Sequence, residues 1–132
     1  MEYRRFTIEE VEDLLPWLRT QLDLLAATQV TLIALENDKH QLMAKTISNG
    51  TSNTDSRLSE NQKSIADVSD TLGQTADRIT SEGVIIRDNS TGLVDFPSVR
   101  DGTEVYLCWY RSEESLLYWH PLDTGVSGRQ PI

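Results

Sequence analysis

Two patterns meet in the stretch Ile79-Thr80-Ser81-Glu82-Gly83-Val84-Ile85-Ile86-Arg87-Asp88, and the fold class turns on how it is read. Before it, Leu58, Asn61, Ile65, Val68, Leu72, Thr75 and Ile79 recur at spacings of three and four. That is one helical seam, with Asn61 and Thr75 as polar interruptions. After it, Val84-Ile85-Ile86-Arg87-Asp88 reads as a strand by its β-branched start. Gly83 sits at the change. Placed just past the helix end, it brings Val84 and Ile79 to the two positions that touch in a Schellman ending. The chain therefore divides into a helical part, residues 1–82, and a β part, residues 83–132.

Upstream, the second helix is predicted over residues 55–82. Thirteen of its 28 residues are Ser, Thr, Asn or Asp, and Gly73 weakens it further. Such a helix leans on a partner rather than on its own propensity. Residues 47–54 are polar and low in complexity and read as a flexible connection. The first helix has a clear start. Thr7 is a good N-cap, Glu10 completes a capping box, and Phe6 with Val11 forms a hydrophobic staple. Val11, Leu14, Leu15, Leu18, Leu22, Leu25, Leu32 and Ile33 then follow at helical spacing, to an end near Asp38–Met43. Pro16 removes an N–H and clashes with the Glu12 carbonyl, so a kink or short break is expected there.

Downstream, Asn89-Ser90-Thr91-Gly92 is turn sequence. Leu93 to Phe96 is a second strand stopped by Pro97, and Asp101-Gly102 marks a reversal. Val105 to Tyr110 is the strongest strand, with Val105, Leu107 and Trp109 on one face and Tyr106, Cys108 and Tyr110 on the other. Arg111 to Ser115 is a polar hairpin loop, and Leu116 to His120 is a fourth strand ended by Pro121. The tail from Leu122 reads as a loop. The fold class is α+β: a long antiparallel helical hairpin followed by a small antiparallel β meander packed on it.

Composition narrows the function. The 132 residues carry a formal charge of −9, spread as −6 over residues 1–82 and −3 over residues 83–132. Without a basic cluster the chain does not neutralise phosphates, so nucleic acid is not an expected partner. No apolar run reaches the roughly 20 residues of a membrane span, and the N-terminus shows no apolar signal core. One cysteine, Cys108, forms no disulfide within the chain, which suits a reducing cytoplasm.

The chain carries a resemblance, most specific in the β part. Phe6-Thr7 with Leu14-Leu15-Pro16, then Gly92-Leu93-Val94-Asp95-Phe96-Pro97, Leu107-Cys108-Trp109, Trp119-His120 and Gly125 through Gly128-Arg129 resemble the uncharacterised bacterial domain-of-unknown-function family 2203. The resemblance covers nearly the whole chain. It implies a small cytoplasmic protein of helical hairpin plus β module, and no established reaction.

Asp95 stands in an apolar run and wants a reason. One is a ligand or metal. The favoured one is structural: a turn cap, or a partner for Arg87, Arg100 or Arg129. His120 and Asp123 form a His-x-x-Asp pair that offers two metal ligands, with Asp88, Asp95 or Glu114 as a third. The other histidine, His40, is on the far helix, so no metal or cofactor is expected and an edge-of-sheet histidine is favoured. Trp109 and Trp119, with Tyr106, Tyr110 and Tyr118, line a pocket or, as favoured, form the core of a small sheet or the surface that rests on the helices. Cys108 reads as a small buried hydrophobe rather than a nucleophile. Gly125 through Arg129 offers N–H groups and a guanidinium to an anion, but opens no predicted helix.

Two functions follow. At roughly 1.5 Å per residue the helices span about 50 and 42 Å, against a radius of gyration of about 14 Å for a compact globule of this length. An elongated hairpin with a narrow seam leaves apolar surface on the first helix, including Leu24, Ala26, Ala27, Val30, Ala34 and Leu35. A homodimer that makes four helices buries it. The first function is thus a non-catalytic, self-associating interaction module. The alternative is a small-ligand or metal-binding protein, or an enzyme, whose site draws on Asp95, Trp109, Glu114, Trp119, His120 and Arg129. With no nucleophile paired to a base, the non-enzymatic role is favoured.

Overall fold

The computed structural model describes residues 4–49 and 52–132. Two long helices, α1 (Ile8–Asn49) and α2 (Ser52–Ser81), precede a five-stranded antiparallel sheet. The strands are β1 (Ile85–Asp88), β2 (Leu93–Arg100), β3 (Thr103–Tyr110), β4 (Tyr118–Pro121) and β5 (Gln130–Pro131), paired in sequence order. A 3-10 turn, Gly125–Gly128, lies between β4 and β5. The fold is α+β, a helical hairpin followed by a meander.

The boundary signals act as their chemistry dictates. The Glu10 amide donates to Thr7 Oγ1, and the Thr7 amide donates to Glu10 Oε1, both at 3.1 Å. Phe6 and Val11 beside this box are buried. At the end of α2, Gly83 takes a left-handed φ of 94° and its amide donates to the Thr80 carbonyl at 3.0 Å. Ile79 and Val84 on either side are buried.

Several boundaries differ from expectation. α1 has no break at Pro16. Pro16 faces solvent while Leu15 and Leu18 are buried, so packing of the adjacent stripe holds the turn in place. α1 runs past residues 38–43 to Asn49, and α2 begins at Ser52, so most of the polar stretch 47–54 is helical. Ser, Thr and Asn each cost a helix no more than about 0.7 kcal/mol, too little to stop one. Gly50 and Thr51 lie outside the described residues.

β2 continues through Pro97 to Arg100. The Pro97 carbonyl accepts the Phe6 amide at 2.7 Å, so this residue directs its backbone groups away from β3. β1 ends its pairing with β2 at Asp95, and the missing N–H of Pro97 therefore costs no ladder bond. The fourth strand starts at Tyr118 rather than Leu116. The tail is not all loop: β5 pairs with Tyr118 and Trp119. Two residues, one of them proline, leave no alternation to read.

By internal contacts the chain forms two compact units, one of residues up to Ala26 and from Thr75 onward, the other Ala27–Gln74. In the first, the start of α1 covers one face of the sheet. Leu15, Leu18, Leu22, Val94, Phe96, Leu107 and Trp109 are all buried there. Phe6 meets Phe96 edge-on at 5.3 Å, and the Arg19 guanidinium lies over Trp109. In the second, Leu32, Leu35, Leu42, Leu58, Ile65, Val68 and Leu72 are half-buried. Asn61 is buried in the same unit and donates through Nδ2 to the Leu35 carbonyl at 3.0 Å.

Candidate functional site

The sheet has a second face, and its chemistry is different. Alternation and register place Asp95 of β2, Tyr106 and Cys108 of β3, and Tyr118 and His120 of β4 on it. The register comes from a two-residue turn. Asp101 and Gly102 have φ of 51° and 77°, both positive, as a type I′ hairpin turn requires. With Arg100 opposite Thr103, counting back puts Asp95 opposite Cys108.

Asp95, Cys108 and His120 are 2%, 1% and 2% exposed. One donor atom from each lies within 4.8 Å of the other two. His120 Nε2 is 3.0 Å from Asp95 Oδ1, and Arg87 Nε donates to Asp95 Oδ2 at 2.9 Å. His120 Nδ1 is 2.7 Å from the Pro121 carbonyl, which only accepts, so Nδ1 carries a proton. The carboxylate raises the Arg87 guanidinium above its usual range. Burial, and after it the negative charge of Asp95, pushes the Cys108 thiol up to about 12. At neutral pH Cys108 is therefore a thiol, not an activated nucleophile.

This cluster floors a cleft of about 400 Å³ whose walls include Arg87, Leu93, Leu122, Asp123, Thr124 and Val126. The segment after β4, read from sequence as a plain tail, thus makes one wall. Leu122 and Val126 at its rim are 49% and 41% exposed.

The structure gathers only some of the residues proposed from sequence. Asp95 and His120 converge, and Asp95 has the Arg87 partner. Asp123 is exposed on the cleft wall. Trp109 and Trp119 share the helix-covered face, opposite the three tyrosines, so the five aromatics do not line one pocket. Trp109 is fully buried and donates through Nε1 to the Glu113 carbonyl at 3.1 Å, as a core residue does. The Arg100 guanidinium lies over Trp119. Glu114 is exposed, and its carbonyl accepts from Arg19. Arg129 is held by Glu113 Oε1 at 2.6 Å and lies over Tyr118 and Tyr110. Its guanidinium braces the sheet and donates to the Cys108 carbonyl at 3.3 Å. Cys108 is the small buried residue read from its strand, and Arg87 is one of the ion-pair partners expected for Asp95; the sequence did not show that Cys108 lies beside the Asp95–His120 pair.

The protein is thus a helical hairpin with a meander that buries a carboxylate, a thiol and an imidazole under an open cleft. It belongs to the family DUF2203, described as an uncharacterized conserved protein, whose model matches residues 4–132. No curated protein and no solved structure matches the chain. Among the described residues, no helix is long and apolar enough to cross a membrane.

Proposed function

We propose that this chain is a binding protein whose β module takes a small ligand in the cleft over Asp95, Cys108 and His120. The observation that carries the reading is the convergence of three buried titratable side chains beneath an open cleft. A five-strand sheet needs apolar contacts to fold, and each buried polar group costs stability unless it is paired. Such groups gather where a site requires them. The cysteine suits a reducing cytoplasm, where the thiol persists. The test is thermal unfolding of the full chain against a panel of metal ions and small metabolites. At least one compound raises the midpoint, and Val126→Trp, which fills the cleft, abolishes that rise. A panel without effect on the wild type defeats the reading.

A second reading concerns the unit Ala27–Gln74. Val30 and Ile33 are 69% and 54% exposed on α1. Ala27 and Ala34, also exposed, lie on the same helical face. We propose that a second copy of this chain covers that face, giving a homodimer through the helical hairpin. Sedimentation velocity at micromolar concentration tests it. The wild type sediments as a dimer, and Val30→Glu with Ile33→Glu sediments as a monomer. A wild-type monomer overturns it.

A further inference from the structure

We propose that Asp95, Cys108 and His120 form a three-ligand site for a divalent transition-metal ion of the zinc class, with a further coordination position facing the cleft. The inference rests on the reading of the cleft as a binding site and names what it holds.

The donor set is one oxygen, one sulfur and one nitrogen, within 4.8 Å of one another. Zinc takes such atoms at about 2.0–2.3 Å, which spaces tetrahedral ligands about 3.5 Å apart. The Asp95–His120 pair, now at 3.0 Å, opens by a fraction of an ångström, and the wider separations close by about one. Rotation of side chains achieves both.

The surroundings aim the donors inward. A ligating histidine ordinarily gives its other ring N–H to a carbonyl or carboxylate, which fixes the tautomer. His120 does this through Nδ1 to Pro121, leaving Nε2 for the ion. Arg87 takes Asp95 Oδ2 from the outer side, leaving Oδ1 for the ion. Asp95 and Cys108 are opposite one another in the ladder and His120 follows on the next strand, so the frame of the site is the sheet itself.

Charge and proton accounting agree. On binding, the ion displaces the thiol proton into solvent and takes Nε2 and Oδ1 as lone-pair donors. It then meets a carboxylate, a thiolate and a neutral imidazole. Two negative ligands balance a divalent ion, and Arg87 stays hydrogen-bonded to the outer oxygen. A thiolate buried beside a carboxylate is costly without a cation, and the ion supplies that cation. Sulfur with imidazole selects zinc, cobalt or iron over magnesium and calcium, which prefer all-oxygen sites.

The test uses the full chain prepared without an affinity tag, stripped by chelator and titrated with Co²⁺. One equivalent binds, with a near-ultraviolet thiolate-to-cobalt band and the strong visible bands of four-coordinate cobalt. Zinc bleaches both. Because Cys108 is the sole cysteine, a thiolate band in the wild type identifies it without a cysteine variant. His120→Gln weakens cobalt binding by at least about 100-fold. His40→Gln, on α1 and not among the cleft residues, still gives the thiolate band. Absence of the thiolate band, or loss of binding in His40→Gln but not in His120→Gln, overturns the metal site. If metabolites still stabilise the chain while cobalt gives no band, the metal fails and the cleft stands. If neither acts, both fail.

Discussion

His120 and Asp95 sit on strands separated by β3 and still meet at 3.0 Å, over a position where β3 carries the small Cys108 side chain. Each secures the other's burial. Asp95→Ala leaves Nε2 of a buried imidazole without its partner, and His120→Ala strands a carboxylate whose remaining partner, Arg87, is half-exposed. Breaking such a pair costs about 3–5 kcal/mol. Each single variant is expected to lower the unfolding free energy of the metal-free chain, read from urea denaturation, by that amount. The double variant costs less than the two singles together, with a coupling of about 1–3 kcal/mol. Strict additivity contradicts a direct bond.

The Cys108 thiol gives a prediction in pH. Its folded value, pushed up to about 12, lies above that of an unfolded cysteine, near 8.5. The neutral form is thus favoured by folding. The stability this brings is whole below the unfolded value and is lost as pH rises from there toward the folded one. At about pH 8, metal-free native chain is expected to react with iodoacetamide about a thousandfold more slowly than chain unfolded in urea, following thiolate content. Equal rates contradict the burial. The same comparison with zinc bound reports on the ligand state of the sulfur.

What was legible in sequence follows from the range of the interactions. The capping box at Thr7, the helix end at Gly83 and the strand faces of β3 are local, and each reads correctly from a few neighbours. The pairing of Asp95 with Cys108 was nearly as legible, because the two-residue turn Asp101-Gly102 fixes the register. His120 was not. The seven residues 111–117 between β3 and β4 follow no standard turn, so the register of β4 comes from tertiary bonds. Arg19 donates to the carbonyls of Arg111 and Glu113, and the Leu116 amide donates to Glu12 Oε1. Pro16 and Pro97 misled for a related reason. The rules against proline concern the lost bond, and here one proline faces solvent and the other turns its nitrogen away from β3.

The N-terminal box makes a local prediction. Thr7→Ala removes the side-chain acceptor of the Glu10 amide and is expected to cost about 1 kcal/mol. Glu10 is held below the usual carboxylate range, first by the Thr7 amide and then by the Thr7 hydroxyl. A lowered folded value places its contribution above the unfolded carboxylate range, and that contribution is lost as pH falls through the folded value. Urea midpoints of wild type and Glu10→Gln therefore differ near neutrality and converge in acid. A gap that is constant with pH shows that the carboxylate charge is irrelevant.

Gly92 closes the turn between β1 and β2 at a φ of 69°, and its carbonyl accepts the Arg111 amide at 3.0 Å. A methyl group there lands 2.6 Å from Arg111 Cγ and Cδ and 2.8 Å from its Cβ. The far end of Arg111 can swing, but its Cβ is fixed to the backbone. Arg111 also donates to the Ser90 and Leu22 carbonyls, so moving it releases contacts to the turn and to α1. Gly92→Ala combines the left-handed strain of about 1–2 kcal/mol with this clash. Its thermal midpoint is expected to fall by more than that of Arg111→Ala alone. Adding Arg111→Gly to Gly92→Ala, which removes the opposing Cβ, recovers the steric part and leaves the backbone strain. If Gly92→Ala unfolds at the wild-type midpoint, the close approach of Arg111 to the turn is wrong.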